Sequence, residues 1–353
     1  SLAGNVILTA NSTISTNSGD TLTLTGVVSG AYGITKTGAG TLVLENANTY
    51  TGTTTVTAGT LNVTGTLSDS TAVTVAAGAT YIVAANDTVA SIAGAGTITL
   101  TNNLIAGTST DTTFSGVLSS TGNFTKVGSG TLTLSGANTY TGGTTITAGT
   151  IALGASNVLA NTGAVTLNGG TFALGSYSDT VAAVTIGTNG GSITSTTGVL
   201  TGSSYTFNNT SSATVSAILA GSVNLTQAGS GTTTLSGANT YSGTTTISGG
   251  ALSISADNQL GTAPVSATSG SIVFNGGTLN TTATFTLNAN RGIAMTGNGN
   301  INVDGSTTLT YNGIIAGSGD LTKSGAGTLV LGGENTYTGT TTVSAGTLNV
   351  GGS

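Results

Sequence analysis

The stretch KTGAGTLVLENANTYTGTTTVTAGTLNV, residues 36–63, decides the fold of this chain because nearly the same residues return three more times. The later copies span residues 126–153, 227–254 and 323–350. Each copy has a glycine before a short apolar strand, then Asn-Thr-Tyr, a threonine run, and a second glycine before another strand. A block that recurs through a whole chain is typical of a stacked array, in which each unit buries its apolar face against its neighbours.

Two glycines, one asparagine and one tyrosine mark equivalent positions in every copy. They are Gly40, Asn48, Tyr50 and Gly59 in the first copy, Gly130, Asn138, Tyr140 and Gly149 in the second, Gly231, Asn239, Tyr241 and Gly250 in the third, and Gly327, Asn335, Tyr337 and Gly346 in the fourth. The interval between the two glycines is the same in all four copies (59 − 40 = 149 − 130 = 250 − 231 = 346 − 327 = 19). Short strands that recur at this interval in the same sense predict one turn of a parallel β-solenoid, with turns stacked about 4.8 Å apart. We therefore predict an all-β fold, a single β-solenoid over residues 1–353 with roughly 17 turns.

Composition agrees with an all-β chain and excludes several functions. Only 4% of the 353 residues are charged, and valine, isoleucine and threonine, which favour strands, fill the apolar stretches. The net charge is −6 and the cations are Lys36, Lys126, Arg291 and Lys323, so there is no basic surface for nucleic acid or anionic lipid. No apolar run is long enough for a membrane-spanning helix, and none is predicted.

The chain lacks the residue types that most catalytic and metal sites need. Without histidine or cysteine it cannot form a Ser-His or Cys-His nucleophile or a His/Cys zinc site. Ten acidic residues are scattered singly, and a glycosidase needs two carboxyl groups within about 5–10 Å. Asp69 and Asp87, separated by nearly one predicted turn, are the best candidates for a carboxylate pair or a calcium site, but solvated turn residues are the favoured interpretation. We predict no catalytic residue, cofactor or metal, and no enzyme.

The polar positions of the block are interpreted as turn chemistry. Asparagine tolerates turn conformations and bonds the backbone two residues on, and the tyrosine ring is expected to lie over the corner. Lys36, Lys126 and Lys323 occupy one position in three copies, which indicates a structural role such as a hydrogen bond to a neighbouring turn. Asp320 is expected to form an exposed pair with Lys323 that contributes little to stability.

At this point the block resembles a known family. Residues 38–63 are similar to the autotransporter-associated β-strand repeat, also called the passenger-associated transport repeat. The third copy departs most, with Gln227 in place of the lysine and Thr233 where the other copies have leucine. The resemblance implies a right-handed β-helix exported by a Gram-negative bacterium and secreted or displayed at the cell surface. These family members end in a membrane-embedded barrel, which this sequence does not contain.

Two features lie outside the regular pattern. The turn that follows the third copy is the longest, since its corner-to-corner interval is 277 − 250 = 27 against 78 − 59 = 19 for the shortest, and we expect residues 257–264 to bulge as a loop able to carry a contact. Neither end of the chain shows a polar cap, and the tail joined to the head would continue the pattern. Either the chain is cut from a longer one or it associates end to end by strand addition, which would build a fibre.

Three functions remain open. The favoured one is a non-catalytic extracellular structural rod, either monomeric or polymerised head to tail into a filament. The first alternative is an adhesin or glycan-binding passenger segment that uses the 257–264 loop. The second is a polysaccharide-degrading β-helix enzyme that uses Asp69 and Asp87. A host or glycan ligand is not identified by the sequence.

Overall fold

The protein is all-β in a computed structural model that describes residues 1–351. In the first half of the chain the strands are Val6–Leu8, Ser12–Ser15, Thr21–Leu24, Val28–Gly30, Ile34–Thr37, Thr41–Leu44, Thr54–Val56, Thr60–Val63, Ala72–Val75, Thr80–Val83, Asp87–Val89, Ser91–Gly94, Thr97–Leu100, Leu104–Ala106, Thr112–Phe114, Val117–Ser119, Phe124–Lys126, Thr131–Leu134, Thr144–Ile146, Thr150–Leu153, Val165–Leu167, Thr171–Gly175 and Asp179–Thr180.

The second half continues in the same manner, with one 3-10 helix, Asp257–Leu260. Its strands are Ala183–Ile186, Gly191–Ser195, Val199–Thr201, Ser204–Phe207, Ala213–Val215, Ile218–Ala220, Leu225–Gln227, Thr232–Leu235, Thr245–Ile247, Ala251–Ile254, Thr268–Phe274, Thr278–Thr281, Phe285–Leu287, Arg291–Met295, Gly299–Val303, Thr308–Tyr311, Ile315–Gly317, Leu321–Ser324, Thr328–Leu331, Thr341–Val343 and Thr347–Val350. Over residues 1–351, no helix has the length and apolar character needed to cross a membrane.

The chain divides into two compact units. The first comprises residues 1–166, 170–173 and 177–181, and the second comprises 167–169, 174–176 and the residues from 182 onward. Each unit is a parallel β-solenoid, and the chain makes about 17 turns. The predicted fold class is therefore confirmed. That the chain is one solenoid domain stays a prediction.

Successive turns of the first unit stack strand on strand in parallel. Thr41 pairs with Thr60, and Thr60 with Thr80, so that equivalent residues of neighbouring turns face each other. Since Gly40 and Gly59 each precede one of these paired threonines, the two glycines lie one above the other, as their constant interval predicts. In the second unit the third and fourth copies show the same register, with Thr232 paired with Ala251 and Thr328 with Thr347.

The core lies inside the turns because side chains alternate between the two faces of each strand. In Thr41–Leu44 and Thr60–Val63 the apolar positions Leu42, Leu44, Leu61 and Val63 are at most 1% exposed, whereas the threonines face outward. Each such buried aliphatic side chain stabilises the fold by roughly 1.5–3 kcal/mol. Stacked apolar rows of this kind form the core of a chain in which only 4% of the residues are charged.

The second glycine of each copy allows the tight corner between two strands. Gly59 has a φ of +66°, and a Cβ atom there would lie 2.4 Å from the carbonyl oxygens of Gly38 and Gly40. Both facts require glycine, since L-residues disfavour this backbone region and a neighbouring turn occupies the space of the side chain. Gly59 therefore has the conformation and the close contacts that only glycine accommodates at a corner.

Candidate functional site: side chains that join neighbouring turns

The tyrosines of the first three repeats lie within the core, where the sequence led us to expect each ring over a corner, and Tyr337 of the fourth repeat is partly exposed. Tyr50, Tyr140 and Tyr241 are at most 1% exposed. Each phenol shares a hydrogen bond with the threonine four positions later, at 2.6 Å for Tyr50 and Thr54 and 2.8 Å for Tyr241 and Thr245. Burial raises the pKa of all three phenols well above the usual range. The ring fills the core, and the threonine pairs the hydroxyl that would otherwise be buried without a partner.

The repeat asparagines connect three successive turns. The Val28 N–H donates to Asn48 Oδ1 at 3.0 Å, and Asn48 Nδ2 donates to the Thr66 carbonyl at 3.1 Å, so one side chain reaches the turn before and the turn after. The same two bonds recur in the second and third copies, where Asn138 joins Leu118 to Val158 and Asn239 joins Leu219 to Gln259. In the fourth copy the Ile315 N–H donates to Asn335 Oδ1.

These contacts correct the predicted role of the asparagines. A local bond to the backbone two positions later was expected. The local bond that does form runs the other way, from Asn48 Nδ2 to the Asn46 carbonyl at 2.7 Å and from Asn335 Nδ2 to the Gly333 carbonyl at 3.1 Å. The oxygen of the side chain instead accepts from a different turn, so the asparagine joins turns as well as shaping one.

The repeat lysines are buried within a ring of backbone carbonyls. Lys36 is 0% exposed, and its Nζ donates to the carbonyls of Thr37 and Gly38 in its own turn and of Ala58 in the next, at 2.8, 2.8 and 3.1 Å. Lys323 makes the corresponding three bonds to Ser324, Gly325 and Ala345. Three donors of the ammonium thus meet three acceptors. Burial lowers the pKa of Lys36, Lys126 and Lys323.

The exposed Asp320–Lys323 pair that the sequence suggested does not form. Asp320 Oδ1 accepts the Thr340 N–H at 2.7 Å, and the Lys323 ammonium points to carbonyls. The two side chains point in different directions because Lys323 faces the core, where it is 0% exposed. The predicted bond from lysine to a neighbouring turn is confirmed.

The third copy replaces two buried residues, and each replacement finds a different solution. Gln227 Nε2 donates to the carbonyls of Gly229 and Gly231 at 3.0 and 3.4 Å, while its Oε1 is buried without a hydrogen-bond partner within residues 1–351. Thr233, which stands where other copies have leucine, is 0% exposed and donates its hydroxyl to Asn209 Oδ1 at 2.9 Å. Asn209 therefore pairs the buried hydroxyl that replaces the apolar side chain.

Asp87 is buried and structural, so its interpretation as a solvated turn residue is wrong. It is 5% exposed, and its carboxylate accepts the Leu67 N–H, the Thr88 N–H and the Tyr81 hydroxyl at 2.9 to 3.2 Å. The Leu67 contact reaches back to the preceding turn, as the repeat asparagines do. Burial raises the pKa of Asp87 to about 6, with a smaller contribution from the charge of Asp69. Asp69, by contrast, is exposed.

The strongest polar cluster of the second unit was not predicted from the sequence. Arg291 is 3% exposed, and its Nε lies 2.9 Å from Asp257 Oδ1. The same guanidinium donates to the carbonyls of Leu260 and Gly261 at 2.9 and 2.6 Å. Residues 257–264, which were expected to bulge, therefore begin with the 3-10 helix Asp257–Leu260. Arg291 holds this helix against the stacked strands, and Leu260 is buried. The signals available in the sequence were the irregular turn and, shortly after it, the chain's single arginine.

These side chains are used within the fold and leave little for catalysis. Within residues 1–351, no group of three or more acidic residues, histidines or cysteines comes together that could hold a metal ion. In the first repeat, Lys36, Asn48 and Tyr50 face a neighbouring turn or the core, and the polar atoms of their side chains bond to protein atoms. The arrangement serves to bind one turn to the next.

Comparison with known proteins identifies the repeated block. The family model of the passenger-associated-transport-repeat matches residues 34–63, 124–153, 225–254 and 321–350. This chain carries four passenger-associated transport repeats. The predicted C-terminal boundaries of the blocks are the same, and each repeat begins slightly earlier than predicted, at the strand that leads to the buried lysine or glutamine.

A curated relative of this repeat protein is the Adhesin BmaC autotransporter of Brucella suis biovar 1 (strain 1330). The two are 45% identical over 139 residues, which is 39% of this chain. The match covers about 4% of the length of that relative. No solved structure matches the chain. The repeats and this relative together indicate a passenger segment of an autotransporter, and a protein that is secreted or associated with the cell surface.

Proposed function

We propose that this segment is a non-catalytic structural part of an autotransporter passenger, displayed outside a Gram-negative cell, in which the repeats hold successive turns together. The observation that carries the proposal is the buried lysine, whose ammonium joins two turns through three carbonyls in the first and fourth copies. An ammonium that is 0% exposed and fully hydrogen-bonded contributes to structure and is inaccessible to a ligand.

Adhesion is the second candidate function. It is favoured by the relative, which is named an adhesin, and by the irregular turn after the third copy, where residues project from the stacked strands. Because loops on a solenoid leave the stacked strands intact, a contact can be added there without loss of stability. End-to-end association into a filament stays a prediction.

An in-phase deletion tests the structural proposal. Removal of residues 36–125 joins Thr35 to Lys126, so that the chain continues at the equivalent position of the next repeat. In the full passenger we expect this deletion to leave surface display and protease resistance unchanged, because nearest-neighbour contacts are restored at the junction. Removal of residues 36–115 is the matched control that breaks the phase, and it should yield protease-sensitive protein. Equal behaviour of the two deletions would contradict the proposal.

A further inference from the structure

The turn after the third repeat contains an arm that other turns lack. In the first copy, the Thr71 hydroxyl donates to the Tyr50 carbonyl, and only Ala72 separates Thr71 from Val73, which pairs with Thr54. In the third copy, the Thr262 N–H donates to the Tyr241 carbonyl, but the strand partner of Thr245 is Ile272. Residues 263–271, hereafter the arm, therefore occupy a stretch where a single residue suffices in the first copy. The arm includes the start of the strand Thr268–Phe274, whose pairing with Arg291–Met295 is irregular between Thr268 and Ile272.

The arm is fixed at several points. Asn290 Nδ2 donates to the Pro264 carbonyl, and the Thr268 N–H donates to the Asn290 carbonyl, both at 2.9 Å. Just before the arm, Arg291 holds the carbonyls of Leu260 and Gly261. A surface held in this way loses little conformational entropy when a ligand binds.

Between the arm and the preceding turn lies a cleft of about 440 Å³, which falls within the size range of small-molecule sites. Its walls include Asn224, Ser242 and Thr244 of the stacked turns and Thr262, Val265 and Ser269 at the arm. No lining residue is ionisable. Within residues 1–351 the hydroxyl groups of Ser242, Thr244 and Ser269 make no hydrogen bond to the protein, and Val265 is 100% exposed.

This chemistry discriminates among ligand classes. A charged ligand would lose solvation without gaining a counter-ion in a cleft that has no ionisable group. A peptide strand finds no open edge, because Ile272–Phe274 already pairs with a strand on each side. A neutral sugar needs neither a counter-ion nor an open strand edge. Its hydroxyl groups can exchange hydrogen bonds with the free hydroxyls of the cleft, and its C–H face can cover Val265.

We propose that this cleft binds a neutral oligosaccharide. The site is independent of the structural role proposed above, so either can fail while the other stands. Weak, millimolar affinity is expected, because the cleft is open and carries no aromatic side chain.

Saturation-transfer NMR on the intact chain tests the site, with cellotetraose and maltotetraose as neutral probes and sialyllactose and a heparin tetrasaccharide as charged ones. We expect signal from a neutral probe, weakened at least about tenfold in the double variant S242A/T244A, because each lost hydrogen bond contributes about 1 kcal/mol. The matched control is T51A/T53A, which removes the equivalent exposed threonines of the first repeat, where no arm is present.

A second variant, Val265→Ser, keeps every free hydroxyl and removes the apolar contact, and it should also weaken the signal. All these positions are outside the core, so circular dichroism should show unchanged folding. The proposal is overturned if neither neutral tetrasaccharide gives a signal at millimolar concentration. It is also overturned if charged probes bind as well as neutral ones, or if S242A/T244A behaves like its control.

Discussion

At the scale of single residues, buried polar side chains distinguish this repeat. Asparagine and tyrosine occur at fixed positions in all four copies and lysine in three. Asparagine and lysine pair backbone groups, and tyrosine pairs its own hydroxyl with a threonine. These positions could be identified from the sequence because they recur, but the direction of each side chain could not. Whether Asn48 bonds its own turn or its neighbours depends on the distance between turns, which local sequence does not encode. The burial of Asp87 was missed because it lies outside the repeated blocks, although Asp179 in the same Asp-Thr-Val-Ala sequence is also buried and also accepts backbone N–H groups of the preceding turn.

Replacement of Asp87 by asparagine should stabilise the protein at neutral pH. Burial raises the Asp87 pKa from 3.8 to about 6, so the charged form is disfavoured in the folded state. The stability contributed by this group is therefore complete below about pH 4 and lost as the pH rises through about 6. Asparagine fits this position, as Asn48 and Asn138 show. We expect a gain of about 2 kcal/mol at pH 7.5 and little at pH 4 in urea unfolding.

The control for this substitution is Asp69→Asn, which removes a charge from an exposed position. It should change stability far less at either pH, because its effect on Asp87 is only the smaller electrostatic one. A D87N protein that is less stable than wild type at pH 7.5 would show that the carboxylate is favoured by its three donors more than it is penalised by burial.

Substitutions at the lysine position should change stability in opposite directions in the first and third repeats. Lys36→Met leaves the carbonyls of Thr37, Gly38 and Ala58 without their donor and should cost about 3 kcal/mol. Gln227→Lys supplies the missing ammonium and removes the unpaired Oε1, and should gain about 1 kcal/mol. Gln227→Met is the control and should lie near wild type, because it removes one unpaired atom together with two bonds. Chemical unfolding measures all three, and destabilisation by Q227K would show that the third corner differs from the others.

At the scale of elements, glycine corners and strand alternation were predictable and the irregular turn was not. The constant glycine interval predicted the register of Thr41–Leu44 on Thr60–Val63, since corner and strand chemistry recur together. The extra residues after Ile254 were expected to form one loop. They form a docked 3-10 turn and then the arm, because the Arg291 guanidinium binds carbonyls from another turn. A contact that occurs once, between distant parts of the chain, leaves no periodic trace.

Two glycines with similar φ angles allow the cost of backbone strain to be measured separately from the cost of steric crowding. Gly59 and Gly78 have φ of +66° and +81°, but a Cβ atom would lie 2.4 Å from two carbonyl oxygens at Gly59 and meet nothing within 4 Å at Gly78. Gly78→Ala should therefore cost about 1 kcal/mol, the strain of the backbone alone. Gly59→Ala should cost at least about 2 kcal/mol more, measured by urea unfolding. If both substitutions cost the same, the carbonyls of the neighbouring turn do not lie against Gly59 as the strand register requires.

At the scale of the whole molecule, the sequence predicted the stacked architecture because a repeat must satisfy the same contacts many times. The repeated lysine and asparagine each bond a neighbouring turn as well as their own, and the backbone carbonyl of Tyr50 accepts a bond from the next turn. A sequence of this kind therefore specifies its fold through period more than through local propensity. Arg291 and the arm escaped prediction because each occurs once, and Asp87 escaped it because it lies outside the repeated blocks.

Disulfide formation between engineered cysteines tests most directly whether the interval from Gly40 to Gly59 completes one parallel turn, and the chain has no cysteine of its own to interfere. In the parallel register Thr41 faces Thr60 and Val43 faces Asn62. We predict that T41C/T60C and V43C/N62C both cross-link on mild oxidation, while V43C/A58C does not, because neighbouring strands in register bring the Cα atoms within disulfide reach. Cross-linking of V43C with A58C in place of N62C would place the two strands antiparallel and contradict the stacked solenoid.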